Sequence, residues 1–155
     1  MDFSPSASGA EDMKIILGTG FGEQIRFGMS PSQVQALLGN PDKIIPLDDD
    51  EKRVEHQYNQ LKMTFRYYDV NDEKLGWIET ENPHVELFGV KAIGLNKAEA
   101  VKLLSENSPE LDDYGSFETI FFEDVWLELQ ITYDEVSRVK FGVFIDENDE
   151  YIWKV

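Results

Sequence analysis

The feature that most constrains the fold is a residue pattern that occurs twice, 66 residues apart. Each copy consists of an apolar residue, a glycine, a second apolar residue, a helix-capping residue and a short amphipathic run. Gly28 and Gly94 are the equivalent glycines, and Ser30 and Asn96 are the equivalent caps. Self-similarity at a fixed spacing predicts two copies of one supersecondary unit.

Each copy predicts one short helix followed by strands. In the first copy, Ser30 suits the N-cap, Pro31 suits the first helical position, and Gly39 ends the helix. Alternating apolar and polar residues after each helix predict four strands, the first two of which form a tight hairpin. The predicted strands are 53–58, 61–68, 74–81 and 85–89 in the first half, and 117–122, 125–133, 137–145 and 150–154 in the second.

These elements predict an α+β fold with helices segregated to one face of an antiparallel sheet. We expect two tandem helix-plus-sheet repeats, at about 13–89 and 90–155, that form one continuous sheet. A length of 155 residues favours a single domain over 13–155. The small, polar residues of 1–12 predict a disordered tail.

Strand alternation also predicts which side chains face away from the helices. The predicted core face carries Leu61, Met63, Phe65 and Tyr67, with Val125, Leu127, Leu129 and Ile131. The opposite face then combines large aromatic side chains with polar ones, a combination typical of protein-binding surfaces. The predicted partner-binding residues are Tyr68, Phe121, Trp126, Glu128, Gln130 and Phe144. Coverage of this face by loops or by a second copy is the alternative interpretation.

The charge of the chain restricts its partners. The formal net charge is −17, which repels nucleic acid and anionic lipid and attracts basic proteins. The sequence has no cysteine, so thiol chemistry and disulfides are excluded. No secretory signal or apolar span is visible, and we therefore expect a cytoplasmic protein that does not bind a membrane.

Several motifs could carry chemistry, and each has a simpler structural explanation. Glycines over 18–22 predict a structural loop rather than a phosphate site, because the spacing is GxGxG and no helix follows. His56 and His84 lack a nucleophile motif or further metal ligands. The acidic runs 48–51, 69–73 and 146–150 do not follow a calcium-loop pattern, although weak cation binding stays open. No catalytic, cofactor-binding or metal-binding residue is predicted, and an enzyme is not expected.

Three family resemblances add to this interpretation. The two tandem units resemble the beta-lactamase-inhibitor-protein-like fold, in which paired repeats form a sheet with a concave binding face. The segments 14–18, 25–30 and 34–41 look like the beginning of bacterial proteins associated with contact-dependent and polymorphic toxin immunity. The helix that ends in Leu38, Gly39, Asn40 and Pro41 is similar to that of the SmpA/OmlA group of assembly lipoproteins.

Together these features predict a non-catalytic, acidic inhibitor of the immunity type that covers the active cleft of a basic, nuclease-like bacterial toxin. The alternative is a structural or assembly module that binds itself or a scaffold protein through the same face. A small-molecule-binding domain would need a deep apolar pocket. The sequence is compatible with a monomer or a homodimer.

Overall fold

The computed structural model describes residues 13–47, 53–69, 73–104 and 106–155. Within these ranges, two short α-helices accompany many mostly antiparallel strands, which confirms the predicted α+β class. The predicted tail over 1–12 and the acidic run over 48–51 lie outside the described residues. The same holds for residues 70–72 of the acidic run 69–73.

The helices and strands follow one another closely along the chain. The elements are β1 Lys14–Ile16, β2 Gly20–Phe21, β3 Ile25–Arg26, α1 Pro31–Leu38, β4 Lys43–Pro46, β5 Val54–Tyr58, β6 Met63–Asp69, β7 Glu73–Thr80, β8 Glu86–Leu87, β9 Val90–Lys91, α2 Lys97–Val101, β10 Glu110–Asp113, β11 Glu118–Phe122, β12 Leu127–Thr132 and β13 Glu135–Gly142. A single 3₁₀ turn, Glu123–Val125, joins β11 to β12.

Eight strands form a continuous antiparallel sheet in the order β10-β11-β12-β13-β7-β6-β5-β4. β7 and β13 meet in the middle of this sheet, where Phe141 lies opposite Ile78 and Lys140 lies opposite Glu79. On each side of the junction, four consecutive strands pair with their sequence neighbours. The first three predicted strands of each half are confirmed as β5 to β7 and β11 to β13.

The prediction of a single sheet is wrong, because five short strands form a second sheet in the order β3-β2-β1-β8-β9. The predicted closing strand 85–89 belongs to this second sheet. Phe88 and Gly89 both have positive φ and form a tight turn that folds β8 back onto β9, while β1 pairs with β8 in parallel. The other predicted closing strand, 150–154, contributes an isolated bridge between Ile145 and Tyr151.

The outermost strands of the large sheet, β4 and β10, were not predicted. All four residues of β10 are exposed, and β4 exposes Ile44 and Pro46. Edge strands with charged residues and proline are typical of natural sheets, because proline lacks the N–H that pairing needs and like charges oppose pairing with a second copy of the same edge. Such strands lack the alternation of a half-buried strand, which explains why the pattern did not reveal them.

The two helices begin in the same way. Ser30 and Asn96 each accept a hydrogen bond from the backbone three residues later, and each forms a capping box. Just before α1, the Gly28 N–H donates to the Leu75 carbonyl of β7, and the Leu75 N–H donates to the Met29 carbonyl. Before α2, Gly94 makes the equivalent bond to β13. The cap motif therefore joins each helix to a central strand.

The core lies between the large sheet and the helices. α1 and α2 contribute the buried Val34 and Ala100, and the small sheet contributes Phe27 from the segment that follows β3. Phe27 makes an edge-to-face contact with Phe141 at a centroid distance of 5.9 Å. The predicted core-face residues Leu61, Met63, Phe65, Tyr67, Leu127, Leu129 and Ile131 are buried, and Val125 is half-buried.

One polar pair lies within this core. The His56 and Tyr67 rings are 4.9 Å apart, and both side chains are buried. The His56 Nδ1 and the Tyr67 hydroxyl find no hydrogen-bond partner among the described residues. His56 is therefore a core histidine whose Nδ1 makes no hydrogen bond with a described residue. Burial lowers the pKa of His56 below its ordinary value of 6.5, whereas the Glu73 charge opposes this change.

We predict that His56 makes the folding stability depend on pH. Because its pKa is lower in the folded than in the unfolded state, the free energy of unfolding falls as the pH decreases below 6.5. Above that pH, both states hold a neutral imidazole and the contribution is constant. Denaturant titrations at about pH 5.5 and about pH 7.5 measure the difference. In His56→Leu the difference should be smaller than in the unaltered protein.

The exposed His84 supplies a matched control for this measurement. His84→Gln should keep the pH dependence of the unaltered protein. An unchanged pH difference in His56→Leu would contradict the prediction.

Candidate functional site

The face of the large sheet that points away from the helices, called here the outer face, is the candidate site. One row of directly opposed residues crosses all eight strands on this face. In strand order from β10 to β4, the row is Glu110, Phe121, Glu128, Lys140, Glu79, Thr64, Gln57 and Lys43. Opposed side chains of neighbouring strands interact, so this row forms a cross-strand ladder.

The charges of the outer face are largely paired. Arg66 donates to the Glu55 carboxylate at 2.7 Å, and its guanidinium lies 3.8 Å from Glu79. Lys140 lies 3.3 Å from Glu128. The face is therefore a mixed ladder of half-buried ion pairs rather than an acidic patch. The negative charge of the chain is carried mostly outside this central region of the sheet.

An aromatic cleft of about 280 Å³ opens on the outer face above β7 and β13. The Trp77 ring lies against Gly142, where a Cβ atom would come within 2.5 Å of the ring. Glycine at that position thus lets an indole lie flat on the neighbouring strand. The cleft is lined by Arg53, Arg66, Tyr68, Trp77, Trp126, Gly142, Val143, Ile145 and Tyr151.

The expectation that Tyr68 is an exposed side chain is wrong. Tyr68 is 8% exposed, and its ring lies on Gly76, where a Cβ atom would come within 2.4 Å. Tyr151, from the segment after β13, covers it at a ring distance of 5.3 Å. The strand pattern placed Tyr68 on the correct side of the sheet but did not reveal the segment that covers it. Tyr68 therefore lines one side of the aromatic cleft.

Four of the predicted residues lie on β11, on β12 and in the turn between them, and one of these, Trp126, lines the cleft. Trp126 is half-buried, lines the cleft and makes an edge contact with Phe121 at 6.0 Å. Phe121 lies opposite Glu128 in the cross-strand ladder, and Gln130 lies opposite Arg138. All four side chains keep part of their surface accessible. Trp126 ends the 3₁₀ turn with a left-handed backbone, which sets the direction of its indole.

Phe144 is separate from the other predicted site residues. β13 ends at Gly142, and the chain then leaves the ladder. The Phe144 ring lies over Gly18 in the turn after β1, and Phe144 is not among the residues that line the aromatic cleft. Continuation of the β13 alternation beyond its end explains why the prediction grouped Phe144 with Trp126.

Trp77, Tyr151 and Arg66 were not among the predicted binding residues. A register irregularity between β6 and β7 lies where Gly76 is unpaired, so Leu75 faces the core and Trp77 faces outward. A glycine inside a strand signals such a bulge and could have identified Trp77. No local signal could have identified Tyr151, because it reaches the cleft from a distant segment.

A second, polar depression of about 470 Å³ adjoins the aromatic cleft. Its walls include Glu55, Gln57, Thr64 and Glu79 from the outer face. At its margin, Arg138 donates to Glu81 at 2.9 Å. The outer face therefore combines an apolar recess with a hydrogen-bonding recess, as expected of an interface with an apolar centre and polar surroundings.

The described residues offer no metal centre. Within the described ranges, no three His, Asp or Glu side chains cluster so as to hold a metal ion. Neither histidine lines the aromatic cleft. Among the helices that the structure describes, none is long and apolar enough to cross a membrane.

Comparisons with known proteins show similarity of fold alone. No family model matches the chain, and no curated protein matches it. A cysteine-rich secretory protein from Staphylococcus aureus is similar in structure, with a TM-score of 0.50 and 14% identity over 88% of this chain and 49% of that chain. An extracellular protein containing an SCP domain from Bacillus anthracis gives a TM-score of 0.47 and 16% identity over 75% of this chain and 43% of that chain. The chain spans about half the length, or less, of these structures.

We predict that Gly76→Ala destabilises the fold, because the added methyl group would meet the Tyr68 ring at 2.4 Å. Overpacking of this kind costs about 1 to 3 kcal/mol of unfolding free energy. Denaturant titration measures the loss. A double-mutant cycle with Tyr68→Ala supplies the control, since the loss should be smaller when the ring is absent. Equal losses in both backgrounds would show that Tyr68 does not cause the strain.

Proposed function

We propose that this chain is a non-catalytic protein-binding module, and that its partner is a basic protein that docks on the outer face. In its specific form, the proposal is an inhibitor of the immunity type that covers the active cleft of a nuclease-like toxin. The resemblance of the segments 14–18, 25–30 and 34–41 to immunity-associated proteins supports this form.

The aromatic cleft is the observation that most directly supports this proposal. Trp77 and Trp126 keep part of their surface accessible within a recess, and tryptophans in such positions often dominate binding energy. The half-buried ladder around them is already ion-paired, and covering paired charges costs less than covering unpaired ones. We therefore place the cleft at the centre of the interface and the ladder around it.

The net charge of −17 supports a basic partner. Charge of this magnitude accelerates association with a protein of opposite sign and weakens association between like-charged molecules. The predicted binding residue Glu128 is paired with Lys140 at 3.3 Å, so direct contact between Glu128 and a cationic group of the partner is a smaller part of the proposal. Attraction is instead assigned to the acidic edge strand β10 and to the acidic run 146–150.

We predict that Trp126→Asn weakens binding of the basic partner by more than about tenfold, as expected for a central aromatic residue. Asparagine is chosen because Trp126 has a φ of 45°, a value that asparagine tolerates. The partner is first isolated by affinity capture at low salt, and its purified form is titrated by calorimetry. Inhibition of the partner's activity is measured with the same variants.

Tyr133 offers the matched control, because it is an aromatic residue that is 98% exposed at the β12–β13 turn and also has positive φ. Tyr133→Asn should bind as the unaltered protein does. Equal affinities for the Trp126 and Tyr133 variants would exclude the aromatic cleft as the centre of the interface. Binding without inhibition would exclude the inhibitor and leave a binding module.

We also infer that the two halves derive from one ancestral helix-plus-sheet unit. The matched capping boxes of Ser30 and Asn96, 66 residues apart, support this inference. So do the matched bonds from Gly28 and Gly94 to central strands, and the four antiparallel strands that follow each helix.

A second candidate function is a structural or assembly module that associates with itself. A specific observation favours it: the small sheet exposes Ile16 on β1, Phe88 in the turn after β8 and Val90 on β9, and β1 and β9 flank β8. Exposed apolar side chains close together are typical of association surfaces.

Self-association through the small sheet makes a distinct prediction. Phe88→Asn should shift a concentration-dependent oligomer toward monomer without loss of stability, because Phe88 has a φ of 54° that asparagine tolerates. Analytical ultracentrifugation at two salt concentrations measures this shift. Apolar association should persist at high salt, whereas binding of a basic partner should weaken. A monomer at all concentrations would exclude this candidate.

A further inference from the structure

The edge strand β10 presents a free side of the large sheet. β10 pairs with β11, and no other strand in the described part of the chain lies beside it. The Tyr114 N–H donates to the Phe117 carbonyl, and the register continues through Asp112 opposite Thr119. Because hydrogen-bonded pairs alternate in an antiparallel ladder, the N–H and C=O groups of Leu111 and Asp113 point away from β11.

The side chains of this edge are strongly acidic. Glu110, Asp112 and Asp113 are exposed, and none of them forms an ion pair with a described residue. Glu110 and Asp112 lie opposite Phe121 and Thr119, so both belong to the outer-face side of the edge. The Asp113 carboxylate accepts the Gly115 N–H at 2.9 Å and lies on the other face. The outer-face side of the edge therefore combines outward backbone groups with the exposed carboxylates of Glu110 and Asp112.

These two properties select the kind of strand that can be added. A second copy of β10 would bring carboxylates against carboxylates, and like charges on facing strands are destabilising. A strand with lysine or arginine at alternate positions would place its cations opposite Glu110 and Asp112 while its backbone pairs with Leu111 and Asp113. Recognition by strand addition takes affinity from the main chain and specificity from alternate side chains.

We propose that β10 accepts a strand from a basic protein and extends the eight-stranded sheet at this edge. The inference rests on the proposed function for the basic character of the partner, and it adds a surface and a mode of binding. The partner strand is extended, carries cationic side chains at alternate positions and has free N–H groups on its pairing side. The aromatic cleft is not required for this contact.

The test uses a short synthetic peptide with capped ends that alternates lysine with threonine. At low salt, amide chemical shifts should change at β10, and the amides of Leu111 and Asp113 should become protected from hydrogen exchange. A peptide of the same sequence with N-methylated amides on one side has equal charge but lacks donors. It should bind at least about tenfold more weakly. Equal binding of the two peptides would overturn strand addition.

Two variants of the protein refine the test. Leu111→Pro removes an outward N–H that the ladder does not use, so the fold should persist while peptide affinity falls about tenfold. Asp112→Asn should weaken the peptide about twofold to fivefold, the range of exposed ion pairs. The matched control is Glu23→Gln, which removes one exposed negative charge from the turn between β2 and β3 and should leave affinity unchanged.

The outcomes separate this inference from the proposed function. Normal peptide affinity in Leu111→Pro, or no peptide binding at low salt, would overturn strand addition, whether or not the partner still binds in a Trp126-dependent way. Conversely, strand addition together with partner binding that ignores Trp126→Asn would support the edge and overturn docking at the aromatic cleft. Self-association through β10 at neutral pH would also contradict the inference.

Discussion

The junction between β7 and β13 is the interaction on which the rest of the structure depends. It joins two four-stranded groups into one sheet and places Ile78 and Phe141 in the core. Consecutive residues of a strand face opposite sides, so the same junction sets Lys140 beside Glu79 on the outer face. Core formation and the geometry of the candidate site thus arise from one set of strand pairs. A change of register there would move both together.

The sequence predicted those elements whose signals are local. Capping residues located the two helices, and strict alternation located the hairpin strands, because burial of one face imposes a period of two. β10 gave no such signal, since an edge strand with four exposed residues has no apolar face to reveal. The second sheet was hidden for a different reason. Its parallel pairing of β1 with β8 joins segments about seventy residues apart, and only the tertiary structure determines that contact.

The same distinction explains the candidate site. Alternation placed Glu128 and Gln130 on one face of the sheet, in agreement with their pairing opposite Phe121 and Thr119. Trp126 precedes β12 and reaches Phe121 from the left-handed end of the 3₁₀ turn. It did not predict that Tyr151 covers Tyr68, because alternation describes the direction of a side chain and not what lies over it. It also could not place Trp77, since the bulge at Gly76 reverses the faces of the residues that follow.

The charges that attract a partner and the charges that a partner would contact lie in different parts of the molecule. The field of a net charge of −17 extends over a Debye length, about 10 Å, and therefore acts while a partner approaches. The outer face, by contrast, holds ion pairs such as Arg66 with Glu55 and Lys140 with Glu128. An unpaired carboxylate loses hydration when a partner covers it, whereas a paired one has a protein neighbour that offsets part of that loss. An acidic edge at β10 beside a charge-paired centre therefore favours rapid association without a large desolvation cost at the contact itself.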